Sequence, residues 1–376
     1  MKNVTLIDGI GGETKYNQDI LFVNNRIFAI EKSGEIDFQK NALIIDGTGK
    51  TVIPGLIMIH EHLFHAKPFF GSFKAVHMTN TFPKMYLVGG VTTMRTAGSI
   101  KATTDLNLKS LIDEGKRLGP TIDVSTPHIE REGLEEFIPQ LQSLYGDEII
   151  ENWLHYWFDK GATSVKVYNN LTKDDLKEII RISHARNIKV IGHLCSITYQ
   201  EAAELGIDNL EHSFMASTDF VNNKPENEYV FAGSSLNDLA EDDPKLLALV
   251  KLLIEKNVTL TYTPNVFEPF ANSEIVPGGG AKALALYLLD QLQNTHDLLV
   301  NSPRDSSGLV GFKKEMKRVQ MFYKMGGKIT VGTDPTGSGR TIAGYSNQRL
   351  IELLIETGFS IEESIKISIL NGAEYL

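Results

Sequence analysis

The sequence predicts an α/β protein: a (β/α)₈ TIM-type barrel preceded by a small N-terminal β-sandwich subdomain. Strand candidates alternate with helix-like segments from residue 52 onward, and eight such strands can be counted. Residues suited to metal binding stand at the C-terminal ends of five of these strands, where barrel active sites gather. We therefore expect residues 1–52 to form the sandwich portion and residues 53–376 to form the barrel.

The first fifty residues contain short strand candidates separated by turn residues. These candidates are residues 4–7, 19–23, 26–31 and 42–45. Asn24-Asn25 predicts a tight hairpin between the second and the third candidate. The pattern is typical of a small β unit.

The barrel pattern begins with the apolar run that ends in His60. The eight strand candidates are residues 52–60, 91–95, 121–126, 164–168, 189–193, 209–214, 259–263 and 328–332. The helix candidates are residues 103–117, 151–160, 173–186, 198–205, 244–256, 312–325 and 360–376. Thr172 followed by Asp175 is typical of a helix start, because threonine caps the first turn and the acidic residue meets the positive end of the helix dipole.

One connection is too long to be a plain loop. Residues 266–310 carry several prolines and the run Gly278-Gly279-Gly280 around an apolar helix candidate, residues 281–299. An insertion on the active-site face of a barrel serves either as a lid or substrate wall, or as a passive addition.

The amino-acid composition excludes some classes of binding partner and favours others. The net charge of -10 arises from 37 basic and 47 acidic residues without a long basic run, which disfavours nucleic acid and anionic membrane surfaces. No apolar run reaches membrane-spanning length, and the single cysteine, Cys195, excludes an internal disulfide framework. We expect a cytoplasmic protein, exported only if a signal peptide has been removed, that acts on a small-molecule substrate; a homo-oligomer is compatible with the sequence.

The strongest local signal is His60-Glu61-His62 at the end of a buried apolar run. In a strand, residues i and i+2 point to the same side, so both imidazoles face one space. Neutral imidazole is a common ligand of zinc and similar metals, although one buried and one exposed structural histidine would give the same pattern.

Four further groups end other strands, namely Lys166, His193, His212 and Asp334. Each alone has an ordinary explanation: His193 as a core histidine, His212 as a surface histidine, Asp334 as a turn or cap residue. Six such groups at five converging strand ends instead predict a metal site.

Lys166 is the most informative of the six, because it interrupts an apolar strand and lysine is rarely fully buried without a partner. Burial lowers a lysine pKa and leaves more of the neutral amine, which can capture carbon dioxide to form a carbamate able to bridge two cations. An ordinary ion pair with a carboxylate such as Asp334 is the alternative.

These residues resemble the amidohydrolase superfamily. The resemblance rests on Pro54-Gly55-Leu56-Ile57 before His60-x-His62, on Val165-Lys166-Val167, Gly192-His193, Leu210-Glu211-His212 and Gly332-Thr333-Asp334, and on flanking motifs over nearly the whole chain. Within the superfamily, the chain is most similar to the branch of imidazolonepropionase-related proteins and prolidase-like dipeptidases.

The resemblance implies a barrel with a small β-sandwich and a hydrolytic site that holds one or two divalent metal ions, usually zinc. By that resemblance, His60, His62 and Asp334 would hold the more buried metal, His193 and His212 the more exposed one, and carboxylated Lys166 would bridge them.

The chain departs from the family pattern at three places. Met58 stands where the family usually has aspartate, and Thr96 follows Arg95 where aspartate is common. Family members also continue past the last helix into strands that complete the sandwich, whereas this sequence stops at Leu376, so these C-terminal strands are expected to be missing.

The predicted chemistry is hydrolysis of a C–N bond in an amide, a dipeptide or N-acyl amino acid, or a cyclic amide. Two bridged cations would activate a water as hydroxide and polarise the carbonyl, and Asp334 would carry the proton to the leaving nitrogen. Tyr168, His128 and Arg340 are weaker candidates for substrate contacts, each with an ordinary packing or surface role as the alternative.

Two other functions remain open. A mononuclear deaminase of the same superfamily is disfavoured, because no glutamate follows His193 closely and Lys166 favours two metals. A non-catalytic binding scaffold is disfavoured, because such a descendant is expected to lose ligands and all six are present.

Overall fold

A computed structural model of the 376-residue chain describes residues 1–69, 72–131, 142–144, 146–232, 235–271, 280–301, 307–336 and 341–376. Its N-terminal part is a four-stranded sheet in the order β3-β2-β1-β4, formed by β1 (Val4–Leu6), β2 (Lys15–Val23), β3 (Arg26–Lys32) and β4 (Thr51–Val52). β2 and β3 pair antiparallel across Asn24-Asn25, and Asn24 has φ 56°, so the predicted hairpin is confirmed.

The strand predicted at residues 42–45 is wrong. Leu43, Ile44 and Ile45 are exposed and follow no strand geometry. The edge of the sheet beside β1 is instead occupied by β4, which pairs parallel with it through Thr5–Thr51 and Leu6–Val52. A run of apolar residues forms a strand only where a partner strand is free, and here the partner is taken.

The rest of the chain contains all eight predicted strands with altered bounds: the first starts at residue 56 and ends at residue 61, the second is one residue longer than predicted, and the other six end one to three residues earlier. The strands are β5 (Leu56–Glu61), β6 (Phe64–Phe69), β7 (Ser72–His77), β8 (Val91–Thr96), β9 (Thr121–Asp123), β10 (Ile129–Glu130), β11 (Gln142–Ser143), β12 (Ser164–Val167), β13 (Lys189–Gly192), β14 (Asn209–Glu211), β15 (Thr259–Tyr262) and β16 (Lys328–Val331). The helices are α1 (Phe82–Val88), α2 (Ala102–Asp113), α3 (Asp147–Lys160), α4 (Lys173–His184), α5 (Tyr199–Leu205), α6 (Pro244–Glu255), α7 (Pro264–Ala271), α8 (Leu286–Asn301), α9 (Ser307–Lys324), α10 (Tyr345–Thr357), α11 (Ile361–Ser368) and α12 (Leu370–Tyr375), with a 3₁₀ turn at Gly280–Ala283.

Parallel pairing organises these strands into two ladders. One ladder has the order β5-β8-β9, and the other runs β11-β10-β12-β13-β14-β15-β16. Two isolated parallel bridges join them, Ser125 with Ser164 beside β9 and β12, and His60 with Gly332 beside β5 and β16. The carboxyl ends of the ten strands in these two ladders therefore lie on a common side, while β6 and β7 form a separate antiparallel pair.

Helix termini follow the local sequence closely. Thr172 caps α4 by accepting a hydrogen bond from the Asp175 amide, while the Asp175 carboxylate accepts one from the Thr172 amide, so the predicted helix start is confirmed. The same reciprocal arrangement begins α5 and α11. Such caps satisfy amide groups that the first helical turn leaves without partners.

The core is one continuous cluster of buried apolar side chains between the parallel strands and the helices that cover them. Met58, which replaces the aspartate of the related family pattern, is fully buried within this cluster. That position is therefore an apolar packing site in this chain. Thr96, the other departure, accepts a hydrogen bond from the Ser125 amide at 2.9 Å and so ties the ends of β8 and β9 together.

The predicted final helix, residues 360–376, is two helices. The backbone leaves helical geometry at Ile369, with φ -132° and ψ -75°. The break lets Asn371 donate a hydrogen bond to the Ile329 carbonyl of β16, and brings Gly372 so close to Ile57 that a Cβ at that position would meet its carbonyl oxygen at 2.9 Å.

The insertion at residues 266–310 is described only in part. Its apolar helix is present as α8, displaced by a few residues from the predicted 281–299. Residues 272–279 and 302–306 lie outside the described residues. Across the described part of the chain, no helix combines the length and apolarity needed to cross a membrane.

Gly332 gives a direct test of how tightly β5 and β16 meet. A Cβ at Gly332 would lie 2.4 Å from the His60 carbonyl oxygen, so Gly332→Ala must push the two strands apart. We expect this substitution to lower the free energy of unfolding by about 1–3 kcal/mol, measured by urea denaturation.

The matched control is Gly12→Ala, since a Cβ there would meet only Ile10 Cγ1 at 4.0 Å. The control should change stability by no more than about 0.5 kcal/mol. Equal stabilities for the two variants would contradict the close approach of β5 and β16.

Candidate metal centre

The six residues predicted as metal ligands converge at the carboxyl ends of the parallel strands. They are His60 and His62 in and after β5, Lys166 in β12, His193 after β13, His212 after β14 and Asp334 after β16. Five of the six are buried, with at most 9% of each residue exposed, and His193 is of intermediate exposure. The structure therefore gathers side chains that lie far apart in sequence, without by itself assigning their roles.

Asp334 lies against the histidine pair of β5. Its Oδ1 is 3.1 Å from His62 Nε2 and 3.7 Å from His60 Nε2. Asp334 has φ 52°, a left-handed conformation that few residues other than glycine and asparagine adopt without cost. A hydrogen bond of 3.2 Å from its amide to the His60 carbonyl accompanies this turn.

His212 is held in a second left-handed turn. His212 and Ser213 have φ 64° and 51°, and the His212 ring bonds Thr263 Oγ1 through Nδ1 at 2.7 Å. The carboxylate of Glu315 in α9 accepts hydrogen bonds from Ser213 Oγ at 2.5 Å and from the Phe214 amide at 2.8 Å. These contacts fix an unfavourable backbone conformation at a candidate ligand, as is common at functional sites.

His193 stands beside His212, with their ring centroids 4.5 Å apart. Burial and the nearby Lys166 charge lower the pKa of His193 to about 3, and burial likewise lowers the pKa of His62 and His212. These imidazoles are therefore neutral near pH 7, which is the form that binds metals.

Glu211 is the residue that sequence reasoning missed. Its fully buried carboxylate accepts a hydrogen bond from His60 Nδ1, and its Oε1 lies 3.3 Å from Arg95 Nη2 and 3.6 Å from Lys166 Nζ. The bond from Nδ1–H leaves His60 Nε2 as the lone-pair nitrogen that faces Asp334, as in histidines that bind metals. The available signal was a carboxylate within the strand candidate 209–214, directly before a candidate ligand.

The charges of this cluster shift the pKa of each member. Burial opposes ionisation of Glu211, but His60, Lys166 and Arg95 outweigh it and hold its pKa well below the usual range. Burial also opposes the charged form of His60, yet the carboxylates of Glu211 and Asp334 raise its pKa.

Lys166 differs from the other members of the cluster. Burial lowers its pKa despite the attraction of Glu211, since the 3.6 Å separation from Oε1 is too long for a hydrogen bond. The alternative, an ion pair with a carboxylate, is present in the structure, with Glu211 as the partner rather than Asp334.

The weaker candidates have different outcomes. His128 is buried and Tyr168 is half-buried; their rings meet edge to face with centroids 4.9 Å apart, and Tyr168 also meets the His193 ring at 5.2 Å. Both therefore border the ligand cluster. Arg340 lies outside the described residues. Cys195 is buried and donates to Asn169 Oδ1.

The donor set fits a divalent transition metal. One ligand atom each from His60, His212 and Asp334 lies within 4.8 Å of the others, and all three residues are buried. Imidazole nitrogen with carboxylate oxygen is a typical donor combination for zinc. Two further donor atoms lie at the same place, Nδ1 of the buried His62 and Nζ of Lys166. Neither makes a hydrogen bond within the described residues.

Sequence comparison gives one match over most of the chain and two over a short part. Residues 51–376 match the profile described as Amidohydrolase family. Two curated dihydroorotases, from Thermoanaerobacter sp. (strain X514) and Caldanaerobacter subterraneus subsp. tengcongensis, are each 41% identical over 63 residues. That alignment spans 17% of this chain and only 14% of either relative.

Several solved structures share the fold over the whole chain. A prolidase candidate from Bifidobacterium longum has a TM-score of 0.68 at 21% identity, covering 100% of this chain and 82% of its own. A Xaa-Pro dipeptidase with bound methionine has a TM-score of 0.69 at 18% identity, and the alignment covers 100% of this chain and 87% of the dipeptidase. A. niger ochratoxinase has a TM-score of 0.65 at 17% identity, and the alignment covers 100% of this chain and 83% of the ochratoxinase. At these identities the likeness concerns the fold alone.

Removing the Glu211 carboxylate should expose how much the cluster depends on it. Glu211→Ala leaves Arg95 and Lys166 buried without their nearest carboxylate, so we expect the free energy of unfolding to fall by about 3–5 kcal/mol in urea denaturation.

The control is Glu241→Ala, which breaks the exposed Glu241–Lys317 pair at 2.6 Å and should cost no more than about 1 kcal/mol. A loss for Glu211→Ala as small as that of the control would mean that the buried charges are satisfied elsewhere.

Proposed function

The chain belongs to the amidohydrolase family, and on that premise we propose that it is a metal-dependent hydrolase of a C–N bond. The substrate class that we infer is an amide, a dipeptide or N-acyl amino acid, or a cyclic amide. The observation that supports this most directly is the group formed by His60, His212 and Asp334, buried at the carboxyl ends of parallel strands.

We infer that the eight strands β5, β8, β9 and β12 to β16 close into a (β/α)₈ barrel. The bridge between Ser125 and Ser164 connects the end of β9 to β12, and the bridge between His60 and Gly332 connects β5 to the end of β16, so the two ladders meet on both sides. Closure of this kind removes exposed strand edges and turns all eight carboxyl ends toward one space. The N-terminal four-stranded sheet is the sandwich portion in this proposal.

Our proposed ligand arrangement has two ions. His60, His62 and Asp334 would hold one, and His193 and His212 the other, with a carbamate on Lys166 between them. The neutral amine of Lys166 would attack carbon dioxide, forming an N–C bond and releasing a proton. The lowered pKa of the buried Lys166, whose Nζ makes no hydrogen bond within the described residues, supports this modification.

Bound divalent ions would supply a nucleophilic water near neutral pH and would polarise the scissile carbonyl. The chain's own contribution is proton transfer and orientation. Asp334 is held as a carboxylate because, against the effect of burial, His60 and His62 keep its pKa well below the usual range. Asp334 would accept the proton of the attacking water and return it to the leaving nitrogen.

Tyr168 and His128 would orient the substrate. Burial holds the pKa of Tyr168 above its usual range, so the phenol keeps its proton and can donate a hydrogen bond to a carbonyl oxygen. Phe267, at the start of the insertion, meets the His212 ring with a centroid distance of 5.8 Å, which supports a role of the insertion as a wall of the site.

A mononuclear deaminase is the second candidate. The observation that favours it is that one ion could use His60, His212 and Asp334 together, without Lys166. Metal stoichiometry separates the two proposals, since the binuclear hydrolase binds two equivalents and the deaminase one.

The central test combines metal analysis with a substrate screen. Protein purified without chelator should contain close to two equivalents of divalent transition metal and should hydrolyse members of a panel of dipeptides, N-acyl amino acids and cyclic amides. Removing the metal with a chelator should abolish turnover, and added zinc should restore it. A metal-free protein with full activity would overturn the proposal.

Replacement of Lys166 tests the bridge. Lys166→Ala should lower kcat/KM by at least ~100-fold, because a metal-bridging group is lost, and short carboxylic acids such as acetate should restore part of it. Lys177→Ala, at an exposed lysine of α4, is the matched control and should keep full activity. Unchanged activity of the Lys166 variant would exclude a bridging carbamate.

A further inference from the structure

Glu61 lies between the two histidines of β5 but takes no part in the group of candidate ligands. Neighbouring residues of a strand point to opposite sides, so the Glu61 side chain turns away from the space that His60 and His62 face. The residue is fully buried. A buried carboxylate is costly unless donors surround it, so its partners are informative.

Donors from three separate elements surround the Glu61 carboxylate. Oε1 accepts from the Thr333 amide at 3.1 Å and from Asn347 Nδ2 at 2.7 Å. Oε2 accepts from Thr333 Oγ1 at 2.7 Å, and the Tyr86 hydroxyl lies 3.1 Å from it. Burial raises the pKa of Glu61 to about 7, and these donors act against that rise.

Thr333 is the critical partner, because it directly precedes Asp334. It is held by Glu61 through both its amide and its hydroxyl, which fixes the segment between β16 and Asp334 in position and orientation. Tyr86 adds a second tie, since its hydroxyl also lies 2.9 Å from the His62 carbonyl and its single hydrogen can serve either acceptor.

Backbone contacts between the same two strand ends are sparse. Among the described residues, they consist of the bridge between His60 and Gly332 and the 3.2 Å hydrogen bond from the Asp334 amide to the His60 carbonyl. Side-chain contacts must therefore contribute much of the alignment between Asp334 and the histidine pair.

We propose that Glu61 is a positioning residue that clamps the Thr333-Asp334 segment against His60 and His62 and thereby sets the metal affinity of the centre. This inference rests on the proposed metal site. A purely structural Glu61 would stabilise the fold without affecting metal affinity, and the two roles differ in what their removal changes.

The experiment measures zinc affinity of Glu61→Gln by competition with a chromophoric chelator, at a temperature well below its Tm. Glutamine keeps the size of the side chain but turns an amide group toward donors, so part of the clamp is lost. We expect the zinc Kd to rise about 10- to 100-fold, as on loss of partners that orient metal ligands. At saturating zinc, kcat should fall with little change in KM.

Leu253→Ala is the control for general destabilisation, since Leu253 is fully buried near the C-terminal end of α6. It should lower Tm while leaving the zinc Kd unchanged. If Glu61→Gln lowers Tm but keeps the wild-type zinc Kd, the positioning role is wrong. If the wild-type protein itself binds no zinc, the proposed function fails instead.

A double-mutant cycle with Thr333→Val tests whether Glu61 acts on the metal centre through Thr333. Because Glu61 is proposed to act through Thr333, the two substitutions together should raise the zinc Kd by less than the product of their separate effects. Full multiplication of the two effects would overturn the clamp. Should Glu61→Gln fail to fold, Thr333→Val alone must still weaken zinc binding, or the proposal is wrong.

Discussion

Glu211 keeps a negative charge where water does not reach it, and three partners from three strands make that arrangement stable. His60 donates to it, Arg95 and Lys166 lie within ion-pair distance, and each of these groups is itself buried. Isolated burial of any of the four would be costly, so they stabilise one another only as a set. The orientation of His60, the environment of Lys166 and the packing at the centre of the strands all depend on this carboxylate.

Two further buried carboxylates act in the same manner at other strand ends. Glu315 holds the left-handed turn at His212 and Ser213 through Ser213 and Phe214, and Glu61 holds the segment that precedes Asp334. Strained or poorly paired backbone near the candidate ligands is thus stabilised by charged acceptors from neighbouring elements. The result is a fixed group of imidazoles near Asp334, of which His62, His193 and His212 are neutral near pH 7, and this suits metal binding because little reorganisation is needed.

The fold relates this chain to proteins of known structure. Members of the amidohydrolase family share the fold seen here, and the solved structures similar to this chain include enzymes named for quite different substrates. Substrate choice in such folds rests on loops and on residues that border the centre, and in our proposal these are Tyr168, His128 and the insertion that begins near Phe267. Among these, the contact of Phe267 with the His212 ring connects the insertion directly to a candidate ligand.

The sequence by itself determined the eight strands β5, β8, β9 and β12 to β16 and the residues at their ends, because apolar runs and His-x-His spacing are local patterns. It did not predict the short strands β6, β7, β10 and β11. It misjudged residues 42–45 and the single final helix, since a free strand edge and the packing of Gly372 against Ile57 are not local. The tertiary structure alone decided which carboxylates support the site. Glu211 meets His60 from 151 positions away and Glu61 meets Thr333 from 272, and no local pattern encodes contacts at such separations.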